Sequence, residues 1–205
     1  MRFPTRMVLM VSSIAMVAWA MGAAAWGKPS GVAPKVWMEQ VCQSVEPVAE
    51  ELVAKAEASE PAPPQVATVA DIRRVAGLAG QTFDGLWRFV DAMRTAITDG
   101  ELPAIGNAAV KVERMDEALA TAQAVVMKGQ TAIDAFEAKI DADFETAIEQ
   151  LRSVELGDVD FDLGSGGSLA PRLERAFFWS ESCTRVMVNL DKFIATSRAN
   201  ITGYA

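Results

Sequence analysis

The chain has 205 residues, 51% of them hydrophobic and 22% charged, enough apolar material for one ordinary core and too much for a disordered chain. Its formal charge is −8, and nucleic-acid binding depends on Lys and Arg neutralising phosphates, so no nucleic-acid partner is expected. There is no histidine, which removes the Ser-His-Asp triad, the Cys-His pair and the Glu-x-x-His di-metal site of helical bundles.

Arg2 and Arg6 precede residues 7–27, a run without a charged residue that ends in Ala23, Ala24 and Ala25. A basic start, an apolar run and a small-residue site predict a secretory signal over residues 1–25, cleaved before Trp26. The same run is long enough to serve as an uncleaved membrane anchor through residues 7–27, oriented by the two arginines with the rest of the chain outside. Both readings export a single domain over residues 26–205, either extracellular or held at the cell envelope. Loss of Arg2 and Arg6 without any acid takes that domain from −8 to −10. Such a charge opposes adsorption to anionic lipid headgroups and keeps an Ala-rich surface in solution.

Over residues 35–58, Met38, Val41, Val45, Val48 and Leu52 recur at steps of three and four, one face of an amphipathic helix. Pro47 is expected to kink this helix or start a new one. Residues 59–68, with three prolines in four positions, predict an extended linker. A second helix starts at Asp71 and carries Ile72, Val75, Ala79, Phe83, Leu86, Val90, Met93 and Ile97 on its inner face. Gly77, Gly80 and Gly85 weaken it and allow a neighbour to come close. Turn residues follow from Asp99 to about residue 109.

The third stripe is the strongest. Val112, Met115, Leu119, Ala122, Val126, Gly129, Ile133, Phe136 and Ile140 alternate steps of three and four, and Phe144, Ile148, Leu151 and Val154 continue them. This predicts an unusually long third helix, about 65 Å at 1.5 Å per residue, with a coiled-coil-like seam that also suits a homo-oligomer. Gly129 is its expected weak point. A fourth helix is expected over residues 169–197, through Leu173, Ala176, Phe177, Cys183, Met187, Leu190 and Ile194. Four such helices and no strand of comparable strength predict an all-α four-helix bundle.

The two cysteines, Cys42 and Cys183, lie near opposite ends of this domain. Outside the cytoplasm two lone cysteines pair, and a reactive thiol would need a neighbouring base. A disulfide stapling the first helix to the last is therefore expected, with a loop of about 140 residues contributing roughly 5 kcal/mol.

Residues 155–167 form an acidic, Gly-rich turn in which Asp158, Asp160 and Asp162 alternate with apolar residues. That is the start of a calcium loop, but Leu163 stands where the loop needs glycine and Leu169 where it needs glutamate. The three aspartates are a weak calcium candidate, a solvated turn is the better reading, and no metal or other cofactor is expected. The aromatics Trp37, Phe83, Trp87, Phe136, Phe177, Phe178 and Trp179 are the candidate contacts for an apolar ligand or a partner. Adjacent aromatics on a helix point in different directions, so some of Phe89, Phe178 and Trp179 should lie outside the core.

With VWMEQVC placing Trp37 five residues before Cys42, then Pro47, then the turn GELPAIGN, a long Ala-rich acidic helix and the late Cys183, the chain resembles an actinobacterial family of small secreted proteins of unknown function. The resemblance implies an exported, envelope-associated helical protein with bonded cysteines, and brings no catalytic residues. Many members of the family carry a lipid-modified cysteine that this chain lacks.

The expectation is an exported cell-envelope helical protein that is not an enzyme and acts by contact with an envelope protein or a cell-wall component. Its contact surface would be the far part of the third helix with exposed aromatics nearby. The alternative is a carrier of an apolar, lipid-like ligand in the bundle core, in a cavity lined by Phe83, Trp87, Phe136 and Phe177.

Overall fold

The computed structural model describes residues 31–63, 68–140 and 171–202. Within these, the chain forms five helices: α1 (Pro34–Ala58), α2 (Val69–Thr98), α3 (Ala108–Lys139), α4 (Pro171–Phe178) and α5 (Glu181–Thr202). No strand occurs among the described residues, so the expected all-α class holds. The continuation of the third stripe beyond Ile140, the acidic turn with Asp158, Asp160 and Asp162, and the apolar residues 7–27 lie outside the described residues. Among the described residues no helix is long and apolar enough to cross a membrane.

Helix α1 opens with Pro34 in its first turn, where a missing N–H costs nothing. The kink or restart expected at Pro47 does not break the helix, which runs on to Ala58 with Pro47 exposed. Val41, Val45, Ala49 and Leu52 are buried on the opposite side, so packing on both sides of Pro47 keeps the helix continuous. Helix α2 begins at a capping box: the Thr68 hydroxyl accepts from the Asp71 N–H at 3.2 Å, and the Thr68 N–H donates to the Asp71 carboxylate at 2.8 Å.

Helix α3 passes through Gly129 without interruption, and all nine predicted stripe positions from Val112 to Ile140 are buried. Gly129 is a close-approach site. A Cβ there would lie 2.4 Å from the Phe83 ring, so the aromatic of α2 occupies the space that a side chain on α3 would need. Gly85 does the same against Leu52 and Phe193, each 2.9 Å from where its Cβ would be.

The predicted fourth helix is two helices. Ser180 ends the run: its hydroxyl accepts from the Cys183 N–H at 3.0 Å and its carbonyl accepts from the Thr184 N–H at 3.1 Å, so it caps α5. The side-chain contacts give the topology. Ser59 bonds Gln81 while Glu51 meets Arg88, so α1 and α2 run antiparallel. Phe83 faces Gly129 and Arg94 meets Asp116, so α2 and α3 also run antiparallel. Cys42 joins Cys183 near the start of α1 and α5, while Asn200 bonds the Ala56 carbonyl near their ends, so these two helices run parallel.

The α2–α3 contact is fixed by a forked ion pair. Arg94 donates to both oxygens of Asp116 at 2.7 and 3.1 Å and to Gln123 at 2.7 Å, and Gln123 donates to Asp91 at 3.3 Å. Ahead of α1, the Val32 N–H donates to the Leu102 carbonyl at 3.0 Å, and the Ala104 N–H donates to the Val32 carbonyl at 2.6 Å. The N-terminal approach to α1 is thereby laid along the α2–α3 loop. Gly31 makes this possible, since it adopts φ +137° and a Cβ there would fall 2.3 Å from the Leu102 oxygen.

Candidate functional site

Two parts of the surface carry side chains that the fold alone does not account for. The first is the corner where α4 meets α5. The bond Cys42–Cys183 is formed, with the Cα atoms 5.0 Å apart and both cysteines buried. Glu39 lies one turn before Cys42 and accepts hydrogen bonds from Ser180 at 2.6 Å and Ser182 at 2.7 Å. Arg185 is paired with Glu46 and donates to the Ser182 hydroxyl at 2.8 Å. Each serine hydroxyl thus both donates and accepts. The bonds from Ser180 and then Ser182 hold the Glu39 carboxyl below its ordinary value of 4.5, and the bond from Arg185 does the same for Glu46.

A carboxylate with a lowered pKa is a weak base, and both hydroxyls are already committed. The cluster is therefore a polar latch across the disulfide and lacks the properties of an activated nucleophile. Immediately beside it Phe178 is 62% exposed and Trp179 74% exposed, while Phe177 is partly buried and meets the Phe178 ring edge to face at 5.8 Å. Leaving two adjacent aromatics in water beside a rigid corner is costly to solubility, and such residues mark contact sites.

The second is a cleft of about 560 Å³ at the other end of α1, walled by α1, α2, α3 and α5. Its floor is apolar, with Leu52, Leu78, Ile133 and Phe193. Its rim carries Asp84, Asp134 and Glu137. It exists because α2 has no side chains at two adjacent turns: a Cβ on Gly77 would meet nothing within 4 Å, and one on Gly80 would make ordinary contact with the Gln130 amide at 3.6 Å and Ile133 at 3.7 Å.

The expected aromatic set is scattered. Phe83 and Phe136 are core residues, Trp87 packs half-buried against the core, and Trp37 is buried as one wall of a separate hollow of about 490 Å³ between α1 and α2. The cavity expected between Phe83, Trp87, Phe136 and Phe177 is not what bounds the cleft, whose walls include none of the four. Gly129 explains part of this, since it draws Phe83 into the α2–α3 contact. Of the set, only Phe178 and Trp179 are more than half exposed. The Glu39 latch has no signature of its own in the sequence, although Ser180, directly after Phe177–Trp179 and three residues before Cys183, is a residue type that caps helices. Among the described residues no group of three ligating side chains is placed to hold a metal ion.

Compared with protein-family models, with curated proteins and with solved structures, the chain matches none.

Proposed function

We propose that this chain is an exported helical domain that works by contact with an envelope protein or cell-wall component, without catalysis, and that the contact is made at Phe178 and Trp179. The observation that carries the reading is the exposure of these two aromatics at a corner held by the disulfide and by the Glu39–Ser180–Ser182 bonds. Aromatic anchors dominate interface energies, and a short segment braced on either side needs less ordering on binding than a free loop. Export rests on the sequence of residues 1–27, and a bonded cysteine pair is in keeping with it. The finer architecture, a four-helix bundle whose third helix outruns its partners, belongs to the same proposal and rests on the stripe through Phe144, Ile148, Leu151 and Val154.

A photo-crosslinking residue in place of Trp179, introduced in the protein's own cells, tests the reading against the same residue in place of Met127, which is 55% exposed on α3. A discrete adduct from position 179 and none from position 127 is expected. Equal or absent adducts from both would rule out this corner as the contact.

A further inference from the structure

The hollow between α1 and α2 has a chemistry of its own and does not depend on the aromatic corner. Two facing stripes at helical spacing wall it, Trp37, Gln40 and Ser44 on α1 and Ala92, Ala96 and Gly100 along α2 and its end. The small residues of the second stripe recur at every fourth position, so no large side chain fills the space. A Cβ on Gly100 would meet only the Ala96 carbonyl oxygen, at 3.9 Å. The volume of about 490 Å³ falls within the usual range for small-molecule sites.

Trp37 supplies a group that the packing leaves unused. It is 2% exposed, yet its indole N–H bonds to no acceptor among the described residues. A buried indole N–H ordinarily finds an acceptor, and leaving a buried donor unbonded costs about 1–3 kcal/mol. Among the described residues the unbonded side-chain atom that is sealed from solvent is Gln130 Oε1 and not the Trp37 nitrogen, so an acceptor can reach that nitrogen.

An acceptor stands across from it. The pairs Val32–Leu102 and Glu51–Arg88 set the register of the antiparallel helices and bring position 37 level with the end of α2, where Asp99 lines the same hollow. The Asp99 carboxylate is unbonded and is the one charged group among the described residues of the lining. Thr82, Thr98 and Thr121 return their hydroxyls to carbonyls of their own helix, whereas the Thr95 hydroxyl and the Gln40 amide, both on the hollow, are unbonded. A ligand that suits this lining accepts from Trp37, donates to Asp99 and lays an apolar face on Ala92 and Ala96. It carries no negative charge, since no cation of the lining offsets Asp99.

We propose that the hollow binds an uncharged N-acetylated sugar, its acetamido oxygen accepting from the Trp37 Nε1–H and its ring hydroxyls donating to Asp99 and Gln40. The C–H face of the ring covers the alanines.

The test uses the chain purified from its own cells, with N-acetylglucosamine, glucose and N-acetylneuraminate as probes, followed through the indole N–H NMR signal of Trp37. N-acetylglucosamine is expected to move that signal downfield and to saturate it at a concentration about tenfold or more below glucose, which lacks the acetamido oxygen. N-acetylneuraminate keeps the acetamido group and adds a carboxylate, and should need a concentration about tenfold or more higher than N-acetylglucosamine. Asp99→Asn should narrow the gap between the two acetylated sugars. Ser44→Leu, at an exposed position of α1, should fill the hollow and abolish the shift while the melting temperature is kept. A folded chain whose Trp37 signal stays still under N-acetylglucosamine, or responds equally to glucose or to N-acetylneuraminate, would overturn the assignment. So would a shift that survives Ser44→Leu. None of these outcomes bears on the crosslink at position 179, so the two readings fail separately.

Discussion

The two ends of the α1–α5 pair are built on opposite plans. At the cysteine end a covalent bond, a capped helix, two serine hydroxyls and the Arg185–Glu46 pair all constrain the same few residues. At the glycine end α2 withdraws its side chains, the helices stand apart around a cleft, and a buried acceptor goes unsatisfied. Polar groups at the first end are satisfied several times over, while at the second the buried Gln130 Oε1 accepts no hydrogen bond. One end of the helix pair is braced and the other is left loosely filled.

The largest expected effect is at the cysteine end. Cys42→Ala with Cys183→Ala should lower stability by roughly 5 kcal/mol, the loop-entropy value for a separation of 141 residues, read as a fall in the urea midpoint against the oxidised chain. A fall of less than about 2 kcal/mol would mean that the polar latch, with no help from the covalent bond, holds this end. Next comes Gly129→Ala. Its helix-propensity gain of about 1 kcal/mol is opposed by a methyl driven into the Phe83 ring, for a net loss of about 1–2 kcal/mol.

Ser180→Ala should cost about 1 kcal/mol through the lost cap of α5, and it tests whether the latch matters once the disulfide is intact. The same latch has a pH signature. Glu39 and Glu46 titrate lower in the folded chain than in the unfolded one, so their contribution is fully present above about 4.5 and is lost as the pH falls through the depressed folded values. Glu39→Gln should flatten the fall in stability below pH 4.5. An unchanged acid limb would remove Glu39 from the latch.

The smallest effect lies at the glycine end and has the opposite sign. Gly77→Ala should raise stability by about 0.5–1 kcal/mol, because the new methyl meets nothing and the unfolded chain loses freedom. Two Gly→Ala changes with opposite outcomes, at Gly77 and at Gly129, would separate a glycine that keeps space open from one that lets helices touch. If both destabilise, the cleft is narrower in solution than described.

Much of the fold can be read from periodicity. Every residue of the Val112–Ile140 stripe is buried because a regular run of apolar side chains on a helix has one way to hide. The cysteine pairing is legible from there being two cysteines and from reading residues 1–27 as an export segment. Two boundaries could not be read this way. Pro47 sits on the solvent side of α1, where packing by Val45 and Ala49 outweighs one lost hydrogen bond. The break at Ser180 hides inside an apolar pattern that simply skips from Phe177 to Cys183. The cleft escapes a sequence reading entirely, since Gly77, Gly80, Gln130 and Phe193 come from three helices and only the packing brings them together. What the sequence does show is that glycines recur on α2, without showing which of them face a neighbour and which face a gap.

The parallel pairing of α1 and α5 through Cys42–Cys183 has a mechanical consequence. A chain drawn apart from its two ends passes tension through the start of α1, across the sulfur bridge and into α5, and α2 and α3 lie off that route. The 141-residue separation, worth about 480 Å of extended chain at ~3.4 Å per residue, stays out of reach of the pull until the bridge is reduced. Under such a pull the enclosed residues, with α2 and α3, keep their fold, while α5, which carries the Phe193 and Ser197 wall of the cleft, bears the load.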